Sequence, residues 1–258
     1  TLGGAGAGLG TALAYWAVLV VIILVMLKNK RIASYQLWQW SPVQSSLLKA
    51  GLKLGLPIGL QVFAEVAIFA VVSLQMAKFS SQVIAAHQSA MNFATLLYAF
   101  PVSVSMALPI VISYEIGANR PQAARQYAII GRLTAILFAG LTLTFLYFNR
   151  QMVAGLYGQN PVFIRLTADF LVFALFFQLA DSFTAPIQGI LRGYKDTTVP
   201  FLLGLISFWS LTFPIAFLLE GTTDLGPKAY WVGLIVGIFA CGITLNIRMH
   251  IVEKRTVQ

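Results

Sequence analysis

The chain has 258 residues, of which 59% are hydrophobic and only 10% are charged. A soluble domain carries roughly 25% charged residues, so this composition excludes a water-soluble globular protein. The net charge of +9 does not indicate nucleic-acid binding, because the basic residues lie between apolar segments and not together on one exposed face.

Seven apolar segments are long enough to cross a membrane as helices, since about 20 residues span the roughly 30 Å of a bilayer core. The third and fifth segments exceed that length, so they are expected to tilt, bend or project into water. The predicted fold class is therefore an all-α polytopic membrane protein. The seven spans are predicted at 5–27, 54–77, 83–112, 127–148, 163–191, 198–219 and 229–249.

The longest connection, residues 28–53, contains five basic and no acidic residues, together with Tyr35, Trp38 and Trp40. This composition is typical of a segment that lies against anionic headgroups, so membrane lipids are predicted partners. If the connection is cytoplasmic, thirteen of the 17 Lys and Arg residues lie on the cytoplasmic side. Such an excess sets orientation, and it predicts an external N-terminus and a cytoplasmic C-terminus. The chain has no starting Met, so we expect it to begin part-way through a longer protein.

Two acidic residues lie deep within predicted spans, Glu65 in the second and Asp181 in the fifth. An ionised carboxylate at that depth costs about 2.5–3.5 kcal/mol or more. No lysine or arginine lies mid-span; Arg132 is the nearest, and Arg192 is placed in a cytoplasmic loop. The counter-charge is therefore predicted to be mobile, namely H⁺, a metal ion such as Na⁺, or a cationic substrate. A protonated carboxyl with a structural role is the alternative.

Polar neighbours of the two acids predict a cavity in the membrane. In the fifth span Gln178, Asp181, Thr184 and Gln188 recur every three or four residues and form one polar stripe. Pro186 leaves the carbonyl of Ser182 unbonded, as a potential oxygen ligand for a cation. The predicted cavity-lining residues are Gln61, Asn92, Thr95, Phe177, Gln178, Thr184 and Gln188.

Other site chemistry is not indicated. The chain has no phosphate-binding Gly-rich loop ending in Gly-Lys-Ser/Thr and no Cys/His cluster suited to zinc, so neither ATP hydrolysis nor a cofactor is predicted. His87 is predicted to have a structural role, with a bond to neighbouring backbone. The sequence is therefore interpreted as a non-enzyme.

Four stretches in a fixed order point to one family. They are Gly-Leu-Pro-Ile-Gly-Leu-Gln at 55–61 before Phe63-Ala64-Glu65, Ala85-Ala86-His87-Gln88 before Asn92, Ile116-Gly117-Ala118-Asn119, and Gln188-Gly189-Ile190-Leu191-Arg192-Gly193-Tyr194-Lys195-Asp196-Thr197. In this order they resemble the multidrug and toxic compound extrusion (MATE) transporters, particularly the NorM-type branch of multidrug/cation antiporters.

The resemblance implies a protein of two six-helix lobes. Residues 1–27 would be the last helix of the N-lobe, 28–53 the cytoplasmic inter-lobe linker and 54–258 the six-helix C-lobe, with the rest of the N-lobe as its partner. It implies secondary active export of small, lipophilic, often cationic drugs across the plasma (inner) membrane by antiport.

The resemblance also implies roles for the two acids. In NorM-type members the acids that match Glu65 and Asp181 take part in Na⁺ binding and coupling. Some members have a tyrosine where this chain has Phe177, so the coupling ion is expected to be either Na⁺ or H⁺.

Two alternatives stay open at the level of sequence. A lipid-linked oligosaccharide flippase of the same superfamily would have a cationic central cavity, whereas both mid-membrane charges found here are negative. A heptahelical receptor would also have seven spans and an external N-terminus, but the chain lacks an Asp/Glu-Arg-Tyr motif after the third span and a retinal-binding lysine in the last.

Overall fold

The computed structural model describes residues 3–29 and 42–257. These residues form seven long α-helices and one turn of 3₁₀ helix, Met76–Lys78, and no strand. Each α-helix is long and apolar enough to cross a membrane, which confirms the seven predicted spans and the all-α fold class. The helices are α1 (Gly3–Lys28), α2 (Ser45–Gln75), α3 (Ser81–Gly117), α4 (Pro121–Gly155), α5 (Pro161–Gly193), α6 (Thr198–Thr222) and α7 (Lys228–Val257).

The helices extend further than the hydrophobic segments alone predict. Helix α4 begins at Pro121, six residues before the predicted span, because a proline is favoured in a first helical turn where no backbone donor is needed. Helix α5 begins at Pro161 for the same reason, and the Asn160 side chain accepts a hydrogen bond from the backbone N–H of Val162 at 2.9 Å. Additional turns at the ends therefore project beyond the apolar core.

The predicted linker is helical in its last part, since α2 begins at Ser45. Its aromatic residues Tyr35, Trp38 and Trp40 lie outside the described residues. The chain divides into two compact units, Thr1–Lys49 and Ala50–Gln258. That boundary falls within a few residues of the expected junction with the C-lobe, although the assignment of the lobes stays a prediction.

In the first unit, α1 exposes its apolar side chains. Leu13 and Trp16 are 67% and 65% exposed, and the described part of the helix carries no charge before Lys28. Apolar surface on this scale is unfavourable in water, so α1 is suited to contact with lipid or with other membrane helices.

In the second unit, α5 is the central helix and packs against α3, α4 and α7, while α6 packs against α7. Large side chains that are fully buried fill these contacts, including Phe170, Ile187, Tyr230, Trp231 and Leu234. Helix α2 adds Ile68 and Val72 to the same core. The two helices that carry Glu65 and Asp181 therefore belong to one packed unit.

Gly189 allows α3 and α5 to approach closely. A Cβ atom at this position would collide with the backbone carbonyl oxygen of Ser105, which cannot move without displacing α3. The Ser105 hydroxyl donates a hydrogen bond to the carbonyl of Ala185 at 2.6 Å across the same contact. Small residues and interhelical hydrogen bonds of this kind hold membrane helices together, and here they fix the helix that carries Asp181.

Candidate functional site

A cavity of about 400 Å³ opens among five helices of the second unit. Helices α2, α3 and α5 provide most of its wall, with Phe208 of α6 and Ile238 of α7. Both mid-membrane acids, Glu65 and Asp181, line it. The remaining lining residues are Val62, Val66, Phe69, Met91, Ala94, Thr95, Tyr98, Val102, Ser105, Met106, Phe177, Gln178, Gln188 and Arg192.

Glu65 is held by two side-chain amides. Gln61, one turn earlier on α2, donates from Nε2 to Glu65 Oε1 at 3.2 Å, and Gln188 of α5 donates to the same oxygen at 2.9 Å. Amide donors stabilise a carboxylate without neutralising its charge. Within the described residues, no basic side chain lies within 4.0 Å of Glu65.

Asp181 lies at the centre of α5 and is only 9% exposed. It too lacks an ion-pair partner among the described side chains. Its neighbour along the polar stripe, Gln178, is buried and donates to the carbonyl of Leu97 at 3.3 Å, which joins α5 to α3. The wall of the cavity around Asp181 is therefore held in place by bonds that leave the carboxylate itself unpaired.

The structure brings together most of the residues predicted to line the cavity. Its wall contains, besides the two acids, Thr95, Phe177, Gln178 and Gln188. Gln61 is not part of the wall but donates a hydrogen bond to Glu65. Phe177 packs edge-on against Phe69, with ring centroids 5.5 Å apart. The site therefore combines two carboxylates with amides and an aromatic wall.

Two of the predicted lining residues point elsewhere. Asn92 accepts a hydrogen bond from the Tyr157 hydroxyl at 2.9 Å. Thr184 donates to the carbonyls of Ala180 at 2.8 Å and Ile238 at 3.2 Å, at the contact between α5 and α7. Neither residue is part of the cavity wall, because these bonds turn them toward neighbouring segments.

Arg192 corrects the expectation that no fixed positive charge lies near the acids. It is in the last turn of α5 and lines the same cavity as Glu65 and Asp181. The sequence contained a signal, since Arg192 follows Gln188 by four residues and so continues the polar stripe by one turn. Its position near a helix end concealed it, because a long side chain can reach back along the helix toward its N-terminus.

Tyr98 is a second lining residue that the sequence analysis missed. It follows Thr95 by three residues and therefore shares its face of α3. Its aromatic character made it indistinguishable from the many packing residues of the spans. In the structure it lines the same cavity as the two acids.

His87 has side-chain partners where a backbone partner was predicted. It is buried, its Nδ1 accepts a hydrogen bond from Trp231 Nε1 at 3.2 Å, and its Nε2 lies 3.3 Å from the Ser73 hydroxyl. The prediction was wrong about the partners, although the bonds of His87 do join α2, α3 and α7. Pro186 lies inside an α5 that runs unbroken from Pro161 to Gly193, and the role predicted for the Ser182 carbonyl stays a prediction.

All the cavity-lining residues except Ile238 lie in a segment that a family model recognises. Residues 57–218, which include Glu65, Asp181 and Arg192, match the model described as MatE. The chain belongs to the MatE family. This confirms the resemblance inferred from the ordered motifs. The alternative interpretation as a heptahelical receptor is therefore dropped.

Relatives in two bacteria match almost all of this chain. It is 54% identical over 254 residues to the probable multidrug resistance protein NorM of Streptococcus pneumoniae, covering 98% of this chain and 56% of that protein. It is 43% identical over 263 residues to the protein of the same name in Bacillus subtilis, covering 100% and 57%. The chain thus spans little more than half the length of these curated relatives.

The fold is similar to the crystal structure of a eukaryotic MATE transporter, with a TM-score of 0.83 at 16% sequence identity. The alignment covers 97% of this chain and 58% of that one. At this level of identity the likeness establishes the fold. The MatE fold and the seven apolar helices together make the protein a multi-pass membrane protein.

In this MatE chain the polar groups of the cavity are mainly oxygen atoms, and its sulfur atoms are the two thioethers of Met91 and Met106. The described residues contain no group of three or more His, Cys, Asp or Glu side chains that could hold a metal ion. Glu65, Asp181, Tyr98 and the lining amides are hard oxygen donors, which suit Na⁺ or a proton better than a transition metal. Tyr98 of α3 lines the same cavity as Phe177 of α5.

Proposed function

We propose that the chain is the C-terminal part of a secondary active multidrug exporter of the plasma (inner) membrane. In this proposal Glu65 and Asp181 couple the export of lipophilic cations to the inward flow of Na⁺ or H⁺. The observation that carries it is that both acids line one cavity while neither has an ion-pair partner among the described residues. The multidrug resistance names of the bacterial relatives support it.

The mechanism uses competition for the two carboxylates. When the cavity faces outward, a cation binds to Glu65 or Asp181 and neutralises the charge with which a cationic drug was paired, so the drug dissociates. The lobes then rock, the cation leaves toward the cytoplasm, and the ionised acids attract the next substrate. An inside-negative potential supplies about 2.3 kcal/mol per charge per 100 mV for this inward flow.

The apolar part of the wall suits flat, lipophilic substrates. Phe69 and Phe177 present perpendicular ring faces and edges, and Met91 is an adaptable neighbour. Such surfaces accept many shapes, and aromatic faces attract cations. The charged groups would then select substrates by their charge, while the apolar wall would accept substrates of different shapes.

The test is export of ethidium by the full-length protein in cells. Glu65→Gln and Asp181→Asn should each lower the initial export rate at least about tenfold, which corresponds to 1.4 kcal/mol in the barrier. Asp224→Asn is the matched control, because this exposed acid lies in the connection between α6 and α7, and it should export normally. If both cavity variants exported ethidium like the parent protein, the coupling assignment would be wrong.

The coupling ion is identified with the purified full-length protein in proteoliposomes. An imposed Na⁺ gradient and an imposed pH gradient are compared as separate drivers of ethidium transport. The gradient that drives transport in the parent protein should lose its effect in Asp181→Asn. This measurement decides between the two ions that the cavity oxygens accept.

The proposed orientation places the N-terminus outside and the C-terminus in the cytoplasm. In a Cys241→Ala background, a membrane-impermeant thiol reagent applied to intact cells should label Asp224→Cys. It should label Lys195→Cys only after the cells are opened, since that residue lies in the connection between α5 and α6. The reverse pattern of labelling would invert the topology.

A flippase for lipid-linked oligosaccharides remains the second candidate because Arg192 adds a positive charge to the cavity. The two acids still outnumber it, and an anionic lipid phosphate would be repelled by them. Transport of ethidium that depends on Glu65 would favour the exporter. Loss of a cell-surface polysaccharide on deletion, without any change in dye export, would favour the flippase.

A further inference from the structure

The third charged side chain of the cavity, Arg192, has no task in the antiport described above. Its Nε atom is buried and has no hydrogen-bond partner. It forms no ion pair within 4.0 Å in the part of the chain that the structure describes. A buried donor without a partner is unfavourable, which indicates that the guanidinium acts on the contents of the cavity.

Two of the three charges, Asp181 and Arg192, lie on α5, and the third, Glu65 of α2, is bonded to Gln188, which lies between them along α5. Asp181 precedes Gln188 by seven residues, or about 10 Å of helix rise, and Arg192 follows Gln188 by four residues, or about 6 Å. Glu65 is bonded to Gln188 at 2.9 Å. The Glu65 carboxylate therefore lies between Asp181 and Arg192, within reach of both their fields.

Arginine changes the net charge that the cavity presents. Arginine is not deprotonated in proteins, so with both acids ionised the cavity carries a net charge of −1, whereas two acids alone would give −2. Charges separated by a few ångströms interact strongly where water is scarce. One added positive charge therefore neutralises the cavity, and a second one finds no carboxylate left to offset its loss of hydration.

We infer that Arg192 is an internal counter-charge that restricts the cavity to one net positive charge, so that the exporter selects monocations over dications. This inference rests on the proposed function and deepens it by naming the charge class of the substrate. Lys195 does not share this role, because it is exposed, lies three residues further on and is not part of the cavity wall.

The test compares two dyes that share one aromatic ring system, the monocation ethidium and the dication propidium. Everted membrane vesicles that contain the full-length protein and enclosed DNA are energised, and each dye is followed by its fluorescence on entry. The parent protein should transport ethidium faster than propidium. Arg192→Gln and Arg192→Met should each raise the propidium-to-ethidium rate ratio about tenfold, because without the guanidinium the second positive charge of the dye has a carboxylate to pair with.

Two further variants control for charge and for general damage. Arg192→Lys keeps the charge and should restore the parent ratio, while Lys195→Gln removes a nearby positive charge outside the cavity and should not alter the ratio. Because both dyes are measured in the same vesicles, a lower amount of protein leaves the ratio unaffected.

The inference is overturned if both neutral variants keep the parent ratio. If neither variant reaches the membrane, the parent protein decides, since propidium transport as fast as that of ethidium would also overturn it. Failure of the proposed function has a different signature. In that case the parent protein transports neither dye, or Glu65→Gln transports ethidium normally.

Discussion

The acids at the helix ends and the acids in the cavity have different partners. At the ends, Asp169 pairs with Lys228 and Asp196 with Arg248, each at 2.6 Å. In the cavity, Glu65 is bonded only to side-chain amides. A carboxylate with a fixed cation is neutralised and joins two helices, whereas one held by amides alone has no fixed counter-charge. Removing a cavity acid should therefore change transport, and removing an end acid should change stability.

The largest expected effect is the separation of these two properties in Asp181→Asn. Export should fall at least about tenfold, while the melting temperature of the purified full-length protein in detergent should stay the same or rise. The physical reason is that a buried, unpaired carboxylate is a cost to folding that the amide removes. A marked fall in melting temperature would instead assign Asp181 a structural role.

The next effect concerns Asp196, whose pair with Arg248 is largely buried, with side chains 14% and 24% exposed. Asp196→Asn should lower the free energy of unfolding by about 2 kcal/mol, the value of a hydrogen bond to a charged group. It should leave the propidium-to-ethidium rate ratio of transport unchanged. Thermal unfolding of the single variants and of the double variant with Arg248→Gln forms a double-mutant cycle. Additive losses in that cycle would mean that the two residues are not coupled.

A smaller effect is expected for Asp169, because its pair with Lys228 is more exposed, at 43% and 31%. Asp169→Asn should cost less than about 1 kcal/mol, as exposed pairs do. The loss should shrink further at high salt, since exposed charges are screened. Equal melting shifts for Asp169→Asn and Asp196→Asn would contradict the dependence on burial.

Tyr194 is an uncharged side chain at the same end of α5 as Asp196. It follows the last residue of α5, where burial raises the pKa of its hydroxyl to about 12, and Glu253 acts in the same direction. The side chain is therefore neutral at physiological pH. Ion pairs also lie at this end of the bundle, including Glu115 with Arg120 at 2.8 Å.

The fold was largely predictable because the bilayer simplifies the problem. A span must be about 20 apolar residues long and must satisfy its own backbone hydrogen bonds, so hydrophobic length alone located all seven helices. Their ends were less predictable. Pro121 and Pro161 start helices in polar sequence through local backbone geometry, to which a measure of hydrophobicity is insensitive.

The site was predictable where one helix determined it. The depth of Glu65 and Asp181 and the amide one turn from Glu65 follow from the position and spacing of residues along the chain. The facing amide of Gln188 could be named as a cavity residue but not as a partner of Glu65. That contact depends on how two helices, separated by 123 positions in the sequence, are rotated against each other.

By itself, the sequence determined the membrane class, the seven spans, the family and the two acids that lie deep within spans. The class, the spans and the acids follow because hydrophobic length and the energetic cost of charge in lipid are properties of single segments. The family follows from the ordered motifs. The tertiary structure alone decided that Arg192 and Tyr98 face the acids while Asn92 and Thr184 bond elsewhere. Helical periodicity defines which residues share a face, but only packing at contacts such as Gly189 against Ser105 orients that face.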